Sequence, residues 1–155
     1  MVWMILFFLM AGTGTALAQE DEEVALLEAR SANLEQRYDR ESDNPRRQTE
    51  IAVDLSKNRL DQLRSAYNTG DSGLWKDALE SYRGALHRLE TAVEAARNTG
   101  NSKKAEVFLR QHSRDLENLK TSVSYLDRPE IEKLCDRAAD LREQILYSIL
   151  NPEED

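Results

Sequence analysis

Apolar residues recur at steps of three and four from Val24 to Leu150. That spacing lines one face of an α-helix. Breaker residues divide the pattern into five stripes. The first, over residues 21–43, is Val24, Leu27, Ser31, Leu34 and Tyr38. So thin a seam needs a partner helix. Asn44 is the predicted N-cap of a second helix over 45–69, with Pro45 in its first turn. The apolar residues of that helix, from Ile51 to Tyr67, spread over about half the circumference at 100° per residue. Such a face predicts two neighbours. Arg59 falls near its centre and is expected to lay its alkyl stem on the core and send its head to a carboxylate or to water.

Gly70 should close the second helix, because a helix commonly ends on a left-handed residue. Asp71 or Ser72 should cap a third helix over 73–98, whose stripe runs from Trp75 through Leu79, Tyr82, Leu86 and Leu89 to Val93. Gly100 ends that segment. Asn101 or Ser102 should cap a fourth helix over 102–126, with Ala105, Phe108, Leu109, His112, Leu116 and Leu126 on its stripe. Asp127 and Glu130 have the spacing of a capping box for a fifth helix. Its stripe includes Ile131, Leu134, Ala138, Leu141 and Ile145, and it stops at Asn151-Pro152. Connections this short join antiparallel neighbours. The expected fold is all-α: an antiparallel up-down helical bundle of four helices over 45–150, plus an N-terminal amphipathic helix over 19–44. Residues 151–155 form an acidic tail.

Asn68-Thr69-Gly70-Asp71-Ser72 recurs thirty residues on as Asn98-Thr99-Gly100-Asn101-Ser102. The same offset sets Leu79, Leu86 and Leu89 on Leu109, Leu116 and Leu119, and Tyr82 on His112. Leu63-x-x-x-Tyr67 followed by Ala78-x-x-x-Tyr82-x-x-Ala85 resembles the tetratricopeptide consensus over about a third of the chain. The resemblance implies a scaffold of stacked helical hairpins. Arg64 stands where the consensus has a small residue, two extra residues separate the half-motifs, and no Pro closes the repeat. A tetratricopeptide-like helical scaffold is therefore the alternative to the bundle.

Charge changes the picture at the N-terminus. All 21 Lys and Arg and all 29 Asp and Glu lie after Ala18. Val2 to Ala11 is an apolar run, and Ala16-Leu17-Ala18 follows with small residues at both positions of an A-x-A site. This reads as a bacterial-type signal peptide over 1–18, cleaved after Ala18, for a periplasmic or secreted protein. No Lys or Arg precedes the apolar run, so an uncleaved membrane anchor is the rival. Behind the leader, 28 of 137 residues are Val, Ile, Leu or Phe. That supply suits elongated helices, each with one apolar stripe, and not an enclosed active site. A net charge of −8 argues against nucleic acid, whose binding needs a basic footprint. It argues equally against an anionic membrane surface after cleavage. The lone Cys135 rules out an internal disulfide and reads as a small buried hydrophobe.

Candidate chemistry is sparse. His87 lies off its stripe and pairs with Glu90 one turn on. His112 sits centrally on its stripe, and the offset brings Tyr82 beside it. His112, Tyr82 and Arg59 are the candidate buried polar layer. A metal- or small-molecule-responsive bundle around His112 is the second functional reading. Di-metal bundles use Glu-x-x-His on two helices, whereas here the order is His-x-x-Glu and His-x-x-Asp. No cofactor, metal ligand set or catalytic group is expected. The first reading is a non-catalytic protein of the bacterial envelope that binds another protein or itself. Its candidate interface is Val24, Leu27, Leu34 and Tyr38, a coiled-coil-like seam with flanking charges.

Overall fold

The computed structural model describes residues 13–96 and 99–151, with side chains from 22 to 96 and from 100 to 151. The apolar run at 2–11 and the acidic residues 153–155 lie outside the described residues. Those described form five α-helices and no strands: α1 (Thr13–Arg40), α2 (Pro45–Thr69), α3 (Ser72–Ala96), α4 (Thr99–Ser122) and α5 (Arg128–Leu150). None is long and apolar enough to cross a membrane.

Local chemistry sets the boundaries of α2 and the start of α3. Asn44 Oδ1 accepts from the Arg47 N–H at 3.1 Å, and Pro45 opens α2. Gly70 ends it at φ +71, donating its N–H to the Tyr67 carbonyl. A side chain there would be strained. Asp71 then accepts from the Gly73 and Leu74 N–H groups at 2.7 and 3.1 Å, which starts α3.

α5 starts after Asp127 and ends at Asn151, as expected, while α1 and α4 differ from the sequence expectation. α1 begins at Thr13 and runs unbroken through Ala16-Leu17-Ala18. α4 is shifted toward the N-terminus by about a turn. Thr99 and Gly100 are already helical, and Asn101 and Ser102 are buried inside α4. At its far end Thr121 and Ser122 turn their hydroxyls back to the Asn118 and Leu119 carbonyls. The Ser124 N–H goes to the Tyr67 hydroxyl at 2.6 Å. These bonds compete with helix continuation. Leu126 consequently leaves the stripe and is 85 % exposed. The capping box does not form. Asp127 accepts from the Ser124 hydroxyl, and Glu130 pairs with Arg83 and Lys133 at 2.7 Å each.

The core is built from leucines at helical spacing. Leu55, Leu63, Leu86, Leu89, Leu109, Leu116, Leu134 and Leu141 are all essentially inaccessible. Each contributes about 1.5–3 kcal/mol by burial. The most extensive pairings are α2 with α3 and α4 with α5, followed by α1 with α2. α2 also meets α4, and α3 meets both α4 and α5. The wide face of α2 thus serves three neighbours. No pairing of α2 with α5 occurs among the described residues.

Candidate functional site

Apart from Thr49, Ser56, Asn101 and Ser102, the buried polar side chains gather in two places. One lies between α1 and α2. Ser31, in the middle of the α1 seam, donates its hydroxyl to Asn58 Oδ1 across the interface. Gln62, one turn beyond Asn58 on α2, donates to the Leu27 carbonyl and to Ser31 Oγ at 2.7 Å each. The Gln62 carbonyl oxygen accepts from Arg59 at 2.6 Å, and Arg59 also reaches Glu35 at 2.8 Å. Arg88 of α3 approaches the same Glu35 oxygen at 3.5 Å. Asn58 Nδ2 and Arg59 Nε have no partner among the described residues.

The second place is an aromatic layer where α3 meets α4. His112 is 2 % exposed. The Tyr82 ring stacks on it at 5.6 Å and 26°, and Phe108, one turn earlier on α4, lies 4.6 Å away. Lys57 of α2 sits over the Phe108 ring at 5.7 Å. His112 Nε2 and the Tyr82 hydroxyl have no hydrogen-bond partner among the described residues. Burial pushes the His112 imidazole down to about 4, with help from the nearby Arg64 and Lys57 cations. Burial raises the Tyr82 phenol well above its ordinary value, helped by Cys135 and Asp115. The imidazole is therefore neutral at pH 7.

Of the three residues grouped from sequence, the structure brings Tyr82 and His112 together. Arg59 points the other way, to α1. Its stem is largely covered and its head meets a carboxylate. The α1 seam divides as well. Leu34 and Tyr38 are buried in the chain's own core, and Tyr38 donates to the Arg88 carbonyl of α3 at 3.0 Å. Val24 and Leu27 are only half-buried. Sequence reading passed over Asn58 and Gln62. Their one-turn spacing beside Arg59 was the available signal, since two amides on an apolar face must find partners.

Elsewhere the chemistry is quiet. His87 is exposed and lies 3.3 Å from Glu90, a carboxylate that also pairs with Arg137. Cys135 is buried, and its thiol is pushed up to about 11 by burial, then by Glu117. No cluster of three or more His, Cys, Asp or Glu able to hold a metal ion occurs among the described residues. A surface cleft of about 330 Å³ lies between α2 and the start of α4, bordered by Arg37, Arg47, Glu50 and Lys104. Another, of about 470 Å³, borders Tyr125, Leu126 and Arg128. His112 lines neither. No family model matches this sequence, and no curated protein or solved structure matches it either.

Proposed function

We propose that the chain is an exported, non-catalytic helical protein of the bacterial envelope that binds another protein or a second copy of itself. One observation carries the reading. The seam of α1 is covered by its own chain from Ser31 to Tyr38 and opens toward the N-terminus, where Leu26 is 64 % exposed beside half-buried Val24 and Leu27. Surface aliphatic groups flanked by charge suit a helix-to-helix contact. Removing residues 19–44 is a poor test, because Ser31, Leu34 and Tyr38 belong to the core. Leu26→Asp is the better one, since the residue lies outside the core. The variant should keep the parent's melting temperature while losing the larger species in light scattering and the crosslinked species in envelope extracts. An unchanged crosslinking pattern in a folded Leu26→Asp variant defeats the reading.

A second arrangement is favoured by the helix pairings. An up-down bundle closed into a ring brings its first and last helices together. Here α2 lies on α3 and α4 on α5, and the two hairpins meet face to face. That layering supports a tetratricopeptide-like scaffold, in which hairpins stack and the outer layers receive partners.

A further inference from the structure

The cleft between α2 and the start of α4 runs against the charge of the chain. Over the whole sequence, acids outnumber bases 29 to 21. Around this cleft of about 330 Å³ the order is reversed: Arg37, Arg47 and Lys104 stand against Glu50 and Asp54. Asp54 also lies 3.8 Å from Lys57 on its own helix. The three cations come from three helices. Arg37 is in the last turn of α1, Arg47 in the first turn of α2 and Lys104 in the second turn of α4.

One carboxylate already draws two of them together. Glu50 accepts from Arg47 at 2.8 Å and, through its other oxygen, from Lys104 at 3.2 Å. The Lys104 bond first, then the Arg47 bond, holds its carboxyl below the usual range. Donors from α2 and α4 thus already converge on an oxyanion. Arg37 is exposed and has no carboxylate partner among the described residues.

The lining also holds an unused polar group. Asn101, in the first turn of α4, is 2 % exposed, and its Nδ2 has no hydrogen-bond partner among the described residues. An unpaired buried amide is costly, and a ligand oxygen would satisfy it. The two ends of a carboxamide exchange by a half-turn, so the donor can face whichever side offers an acceptor. The first turn of α4, a helix of 24 residues, adds the positive end of its dipole. Ile51 and Val53 give the same cleft an apolar side.

We propose that this cleft binds the phosphate of a small phosphomonoester, which takes Arg47 and Lys104 from Glu50 and adds Arg37 and the Asn101 amide. A phosphate carries close to two negative charges at pH 7, so it outcompetes the single charge of Glu50 for these cations. The volume is at the lower end of the range for small organic ligands. It leaves room for a short body against Ile51 and Val53. Arg37 is about three turns of α1 away from Leu26, so this site and the contact proposed there stand or fall separately.

The test is calorimetric titration of the full chain at constant ionic strength. The probes are inorganic phosphate and glycerol phosphate, with glycerol and acetate as controls. Both phosphates should saturate one site per chain, glycerol phosphate more tightly, and neither control should bind. Lys104→Ala and Arg37→Ala should each weaken binding about tenfold, and Glu50→Gln should strengthen it about tenfold by releasing two cations. Arg40→Ala should change nothing, because Arg40 is exposed in the same turn of α1 but does not line the cleft. None of these four side chains belongs to the core, and melting curves select the folded variants. Absence of saturable phosphate binding overturns the site. So does an Arg40→Ala loss equal to that of Lys104→Ala, which would mean diffuse charge, or a Glu50→Gln variant that binds no better than the parent. Acetate binding as tightly as phosphate overturns the choice of phosphate. Inorganic phosphate binding as tightly as glycerol phosphate overturns the ester in favour of the free ion.

Discussion

The α1–α2 interface and the α3–α4 layer both bury polar side chains on otherwise apolar helix faces. They deal with the cost in opposite ways. Between α1 and α2, Ser31, Asn58, Gln62, Arg59 and Glu35 bond one another across the helices. These bonds have direction, so they set how far α1 slides along α2. Between α3 and α4, His112 is shielded by the Tyr82 and Phe108 rings, and its Nε2 finds no bond among the described residues. Ring stacking tolerates sliding, while burial and the nearby Arg64 and Lys57 cations disfavour charge on the imidazole. The first region should therefore respond to loss of a partner, and the second to protons.

The largest expected effect is on the second region. The His112 pKa is about 4 in the fold against an ordinary 6.5. Between those values the unfolded chain binds more protons than the folded one, so stability falls as pH falls. The His112 contribution is complete above pH 6.5 and is lost on approach to pH 4. The total is about 3 kcal/mol. His112→Phe keeps a ring in the stack and should lose correspondingly less between pH 7 and 4.5 in urea unfolding. Glu50, Glu117 and Glu130, held low by neighbouring cations, titrate alike in both proteins. Equal losses in parent and variant would contradict a neutral buried imidazole.

Next comes Asn58→Ala, which leaves Ser31 and Gln62 without their shared acceptor. It should cost about 2 kcal/mol at pH 7, with no added pH dependence. Adding Ser31→Ala should then cost less than Ser31→Ala alone, by at least about 0.5 kcal/mol. Strict additivity would mean that the polar chain does not act as a unit. The smallest effect is expected from Tyr82→Phe. It removes a buried hydroxyl that has no partner among the described residues, so stability should move by under about 1 kcal/mol, on the side of a gain. A loss of several kcal/mol would reveal a bond to that oxygen and erase the contrast between the regions.

Much of this was legible from periodicity. The five stripes and the punctuation at Asn44-Pro45 and Gly70-Asp71 depend on local chemistry, and local chemistry is what a sequence displays. The thirty-residue offset also set Tyr82 against His112, which the structure stacks. What escaped were choices between competing partners. Leu126 continues the α4 stripe on paper, but the Tyr67 hydroxyl, fifty-seven residues away, takes the Ser124 N–H and the helix stops. Arg59 lies on the same broad face of α2 as the core leucines. Only the placement of α1 decides that its head meets Glu35 rather than the aromatic layer. A face shared by three helices cannot be divided among them from one helix's spacing.

The bond from the Tyr38 hydroxyl to the Arg88 carbonyl spans fifty residues. It sets an order of events as the chain is made. α1 emerges before α2 and α3, yet its resting place is built from them. At 5–20 residues per second, the interval between Tyr38 and Arg88 is roughly 2.5–10 s. The two hairpins can close as soon as their own turns are complete. For those seconds α1 waits, with Leu34 and Tyr38 open to whatever else is at hand.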